Sequence, residues 1–92
     1  MENAYKQYVR VIADFAEDGR LRPLRIQFDG VFYDVDRVLG VRPGYAAKAG
    51  GQGDQYTIQV CGQQTRLFFE RSTNISGDNI GRWFVERRKA NC

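Results

Sequence analysis

Apolar and polar residues alternate along most of this chain, and the clearest stretch is Leu24-Arg25-Ile26-Gln27-Phe28-Asp29-Gly30-Val31-Phe32-Tyr33-Asp34-Val35. A period of two residues is the mark of a strand with one buried face. Asp-Gly tolerates the positive φ angles of a type I′ turn, whose twist matches that of the strands it joins. With Asp29 and Gly30 as the loop, Phe28 pairs with Val31, Ile26 with Tyr33 and Leu24 with Val35. All six then share one face, so the turn chemistry and the hydrophobic pattern predict the same register.

The same logic predicts a second hairpin. Tyr56, Ile58 and Val60 lead to Cys61, and Thr65, Leu67 and Phe69 follow. Glycine suits the first loop position of a type II′ turn, so Gly62-Gln63 is the expected loop, with Ile58 opposite Leu67 and Tyr56 opposite Phe69. A last strand covers Arg82 to Arg87. The N-terminal run keeps both periods: Tyr5, Tyr8, Val9, Ile12 and Ala16 have helical spacing, while Val9, Val11, Ala13 and Phe15 have strand spacing. The β-branched Val9, Val11 and Ile12, without a Ser, Thr or Asp cap directly before them, favour a strand. That strand would end at Glu17-Asp18-Gly19-Arg20, and Pro23 marks entry into the next. Two stretches read as long loops: Gly40 to Gly53, with five glycines, and Arg71 to Gly81, rich in Ser, Thr, Asn and Gly. No repeat or linker divides the chain. The expectation is one all-β domain over residues 1–92, an antiparallel meander of about six strands closing into a barrel of SH3-like or OB-like size.

Composition refines this picture. A chain of 92 residues buries only roughly 60–65 % of its unfolded surface, so its core needs large side chains, and the aromatics are spread through the predicted strands. The two cysteines are far apart and there is no histidine, which speaks against the usual zinc sites. At most one disulfide could form, and the start, Met1-Glu2-Asn3-Ala4-Tyr5-Lys6, does not read as a signal peptide. A reducing, cytoplasmic compartment is expected, with no membrane span. Net charge is only +3, but 11 of the 14 basic residues are arginine, the side chain suited to bidentate contact with phosphate, carboxylate or base edges. Source-genome bias with salt bridges to Asp and Glu is the plainer account of that arginine content.

Candidate chemistry is sparse. The absence of histidine excludes Ser-His-Asp and Cys-His catalysis, and Cys61 has no evident activator. Asp34 and Asp36, two apart on a predicted strand, would share a face and could serve acid-base work or hold a divalent cation; a solvated pair balanced by Arg25 or Arg37 is the plainer reading. Lys48 lies among the glycines of the 40–53 stretch but is not followed by Ser or Thr, and Gly51-Gln-Gly53 lacks a third glycine, so neither nucleotide-loop pattern is met. Arg42, Tyr45 and Lys48 could still meet a polyanion. Asn74-Ile75-Ser76 matches a glycosylation acceptor by chance in a chain read as cytoplasmic.

Strand parity gives the most specific candidate. If Phe28, Val31, Tyr33, Ile58, Leu67, Phe69, Trp83 and Val85 face inward, then Arg25, Phe32, Arg66, Phe68, Arg82, Phe84 and Arg88 face outward. Arginines interleaved with aromatics suit a platform on which bases stack while phosphates pair with guanidinium groups. Phe32, Phe68 and Phe84 could instead form a second small core, or a patch that binds protein. The leading expectation is a non-enzymatic binding module without cofactor or metal, with single-stranded nucleic acid as its partner. A protein-interaction or self-association domain is the alternative, and a small enzyme or cation site at Asp34 and Asp36 comes third.

The order Asp18-Gly19-Arg-Leu-Arg-Pro23-Leu-Arg-Ile26-Gln-Phe28-Asp-Gly30, Tyr33-Asp-Val35-Asp36-Arg37-Val38, Lys48-Ala-Gly50-Gly51-Gln-Gly53, Leu67-Phe-Phe69-Glu and Arg82-Trp83-Phe84-Val85-Glu86 resembles a group of short proteins of unknown function from Firmicutes, over nearly the whole chain. More distantly, the layout from Pro23 to Val38 and the closing Trp83 strand are similar to a small all-β domain of unknown function found near error-prone polymerase-like proteins. The resemblance implies a bacterial β domain connected with nucleic-acid metabolism and implies no catalytic residue.

Overall fold

A computed structural model of the chain describes residues 4–46, 51–72 and 77–88. Seven strands form one antiparallel sheet: β1 (Ala4–Phe15), β2 (Leu21–Phe28), β3 (Val31–Asp34), β4 (Arg37–Ala46), β5 (Gly51–Val60), β6 (Gln63–Arg71) and β7 (Gly81–Arg88), in the order β3-β2-β1-β7-β6-β5-β4. The described residues hold no helix long and apolar enough to cross a membrane.

Every strand pairs with its successor except β3 with β4, and the first strand pairs with the last. That closes the predicted meander into a half-barrel. Two features bend the sheet. The long β1 is shared, its residues 4–9 pairing with β7 and its residues 10–15 with β2. On the far side, two residues carry the chain from one sheet edge to the other: the Val35 amide bonds Leu24 of β2 and the Asp36 amide bonds Gln59 of β5, each at 2.8 Å.

The first hairpin has the predicted turn and register, with Asp29 and Gly30 at φ 50° and 81°, Phe28 opposite Val31 and Ile26 opposite Tyr33. Leu24 departs from the expected face. A bulge against β1, between the Ile12–Arg25 and Ala13–Pro23 pairs, skips Leu24, so Pro23 and Ile26 are buried while Leu24 is exposed. A second bulge, between Val38 and Gly40, exposes Leu39 in the same way.

The second hairpin differs from expectation. Its loop is Cys61-Gly62, both with positive φ, and Ile58 faces Thr65 while Tyr56 faces Leu67. The slip is two residues, which preserves the face of every side chain. The core is largely the expected one, with Ile26, Tyr56, Ile58, Leu67, Phe69 and Trp83 buried together and the valines of β1 and β7 packed around them, while Phe28 and Tyr33, also expected inside, are half-buried. Val31, expected inside, is exposed at the end of β3.

The described part of the glycine-rich stretch is strand, not loop; residues 47–50, with Lys48 and Gly50, lie outside the described residues. Residues 37–46 form β4, a strand beyond the six expected, paired with β5 as far as Tyr45–Gln52 and Ala46–Gly51. Gly53 serves close packing, since a Cβ there would stand 2.7 Å from the carbonyl oxygen of Phe69, whereas a Cβ on Gly40 would meet nothing within 4 Å. Asn74, Ile75 and Ser76 lie outside the described residues.

Candidate binding cleft

One cross-strand row on the outer face shows where the predicted aromatics went. Arg42 of β4, Gln55 of β5, Phe68 of β6, Phe84 of β7 and Tyr8 of β1 are successive partners. Phe68 and Phe84 stack at 5.0 Å with planes 11° apart, and Tyr8 meets Phe84 edge-on at 5.9 Å. Their exposure is 1 % and 0 %, so neither can offer a ring to a base; of the two readings open to them, the second small core is the one observed. A polar layer lies beside them. Lys6 bonds Glu70 at 2.6 Å, the Tyr8 hydroxyl donates to Glu70 at 2.9 Å, and the Arg82 guanidinium lies 3.9 Å from the centre of the Tyr8 ring. The hydrogen bond from Lys6 holds the Glu70 carboxyl below its ordinary pKa, and the same bond raises that of Lys6. Arg82 is therefore committed to the fold.

The other predicted residues are dispersed. Arg25 pairs with Asp34 at 3.1 Å and covers the Phe32 ring at 4.8 Å, so that small pair satisfies itself on β2 and β3. Arg66 is exposed on the outer side of β6. Of Tyr45 and Arg88 only the backbone is described, and Lys48 lies outside the described residues. Asp36 accepts a bond from the Gly62 amide at 3.3 Å. It follows the crossing out of β3, so Asp34 and Asp36 do not share a strand; neither lines the cleft described next. Among the described residues no cluster of metal-ligating side chains exists.

Arg42, the sheet-edge member of that outer row, also borders a concave site. The two ends of the half-barrel differ. At the end formed by Phe28, the Arg87 guanidinium covers the Phe28 ring at 4.8 Å and bonds Gln7 at 3.0 Å, which plugs the interior. At the other end the sheet edges stand apart, because β3 is too short to follow β2 back to Leu21. A cleft of about 920 Å³ opens there. Its wall is apolar, from Phe15, Leu21, Val41, Phe69 and Ile80, and Tyr56 crosses its floor to donate a hydrogen bond to the Leu21 carbonyl at 2.8 Å. Burial, and then the charge of Asp54, raise the pKa of the Tyr56 hydroxyl, so it stays a donor at neutral pH.

Comparison with family models, curated proteins and solved structures finds no match to this chain. The cleft must be read from its own chemistry. Arg20, Arg22 and Arg42 line it together with Arg71, and Asp54 is its single acidic residue among those described. Arg71 is paired with Asp54 at 3.0 Å and Arg20 with Asp18 at 3.5 Å. Arg22, which stands opposite Asp14 across β1 and β2, and Arg42 make no ion pair among the described residues, and they come from strands that do not pair with each other. The concave site thus joins an apolar interior to a cationic rim.

Sequence reasoning reached Arg42 alone of this set. Phe15, Arg20, Arg22, Asp54 and Arg71 escaped it because they converge only once β4 is a strand. The available signal was Arg20 and Arg22 flanking the entry to β2, immediately after the aromatic end of β1.

Proposed function

We propose that this chain is a non-enzymatic binding module for single-stranded nucleic acid, and that the cleft is its binding site. One observation carries the reading: Arg22 and Arg42, which make no ion pair among the described residues, border a cleft whose interior is apolar. Unpaired guanidinium groups attract phosphate, and an apolar mouth with an exposed ring at Phe15 suits unstacked bases. A duplex, its bases stacked and paired, offers that interior nothing. The resemblance of the Pro23 to Val38 layout to a domain found near polymerase-like proteins points the same way. The exposed free thiol of Cys61 fits a bacterial cytoplasm.

The test is a fluorescence anisotropy titration with labelled oligonucleotides at low and high salt, on wild type and an Arg22→Glu/Arg42→Glu variant. Wild type should bind at low salt and weaken steeply as salt rises. The variant should lose most of that affinity, and its salt slope should fall by roughly one for each phosphate contact removed. Absence of binding at low salt removes the reading.

A second reading has its own support. The outer edge of β4 pairs with no strand among the described residues, and Leu39 and Val41 are exposed along it, as strand addition by a peptide requires. Adding the double charge reversal discriminates: it abolishes oligonucleotide binding but leaves backbone pairing along β4 intact.

A further inference from the structure

A lone carboxylate in a site for phosphates needs a reason. Asp54 sits on β5 between Pro43 of β4 and Phe69 of β6, facing into the half-barrel with Tyr56. Its side chain is 26 % exposed, against 78 % for Arg71. Both of its hydrogen bonds from Arg71, at 3.2 and 3.0 Å, fall on Oδ2. An ionised carboxyl group accepts at both oxygens and at about four lone-pair positions, so Oδ1 keeps acceptor capacity. Lining the cleft, that oxygen repels phosphate and favours a group that donates.

We propose that Asp54 is the specificity-determining residue of the cleft, accepting hydrogen bonds from the amino edge of a nucleobase held in the apolar mouth. Guanine fits best. Its N1–H and 2-amino group lie side by side and can both donate to Oδ1, the oxygen that Arg71 leaves open; adenine and cytosine bring a single amino group, and thymine and uracil bring none. The phosphates flanking the base then lie at the rim with Arg22 and Arg42, away from the carboxylate. Arg71 holds Asp54 in place through Oδ2. This inference rests on the nucleic-acid reading of the cleft and adds base preference to it. A free guanine nucleotide carries the same chemistry as a guanine within a strand.

The experiment measures binding, at low salt, of a short oligothymidylate and of the same oligomer with one guanine at its centre. Guanosine monophosphate and thymidine monophosphate serve as free competitors. A carboxylate contact to a base edge should favour the guanine-bearing strand about tenfold. Asp54→Asn should erase the preference while leaving thymidylate binding equal or tighter, since a negative charge is gone. Inosine in place of guanine lacks the 2-amino group and should retain only part of the preference in wild type, a result independent of how the variant folds. Preferential displacement by guanosine monophosphate, with no gain from the guanine-bearing strand, identifies the free nucleotide as the occupant that Asp54 reads. Equal affinity for guanine and thymine in both the strand and mononucleotide arms, or a preference that survives Asp54→Asn, overturns the inference and leaves the nucleic-acid reading standing. No binding by any probe removes both.

Discussion

The outer row at Phe68 and Phe84 and the cleft at Phe15 are built from the same residue types, aromatics and arginines on neighbouring strands, yet their states are opposite. In the outer row the rings stack on each other, and the cations beside them are used: Lys6 by Glu70, Arg82 by Glu70 and the Tyr8 ring. In the cleft, Phe15 is 63 % exposed and Arg22 and Arg42 make no ion pair among the described residues. Residue type alone does not distinguish a core from a site. What distinguishes them is whether the fold brings partners to the charges. In the middle of the sheet every outward residue has neighbours on both sides; at the gap between β2 and β4 it has one.

The comparison breaks if the two sets of rings are energetically alike. Phe84→Ala removes a fully buried ring and its stacking partner, and should cost about 3–5 kcal/mol in urea denaturation, whereas Phe15→Ala should stay within about 0.5 kcal/mol of wild type. Similar losses for both would mean that Phe15 is part of the core. A smaller effect sharpens the cleft itself: Tyr56→Phe deletes the bond to the Leu21 carbonyl and should lower stability by about 1 kcal/mol, read from the same curves.

The smallest effect concerns the polar layer beside Phe84. Glu70 is held below its ordinary pKa, so its contribution is present above the unfolded carboxyl value and is lost as pH falls through the lower folded value. Lys6 is raised above 10.5, so its contribution is present below that pH and is lost as pH climbs through the higher folded value. Glu70→Gln should therefore cost no more than about 1 kcal/mol near neutral pH, as expected for a partly exposed ion pair. The gap from wild type should narrow in acid below the carboxyl range and again in strong alkali. A gap constant with pH would mean that the pair contributes nothing beyond shape.

How far these features were legible in the sequence depended on how local their causes were. The turn of the first hairpin and the register beside it were legible, because Asp29-Gly30 and the alternation around it demand the same pairing, but the exposure of Leu24 and Val31 was not. The second was legible by face but not by register: Cys61-Gly62-Gln63 accommodates two adjacent turns, and the fold takes the one that puts Cys61 at φ 51°. β4 was hidden by its own glycines and Pro43, which read as loop punctuation; crowding between strands requires glycine at Gly53 of β5, while Gly40 of β4 stands in open space. Parity placed Phe68 and Phe84 on the outer face correctly. It could not say that Tyr8, from the far end of the chain, would pack beside them. The cleft was the least legible feature, since it arises from a gap between β2 and β4 that no local pattern encodes.

Amide chemical-shift mapping with a single-stranded oligonucleotide at low salt tests the central claim most directly. The cleft reading predicts perturbations at Phe15, Arg22, Arg42, Asp54 and Tyr56, with Tyr8, Phe68 and Phe84 unmoved. Perturbations centred on the outer row, or running along the edge of β4 and sparing Arg22, would contradict it.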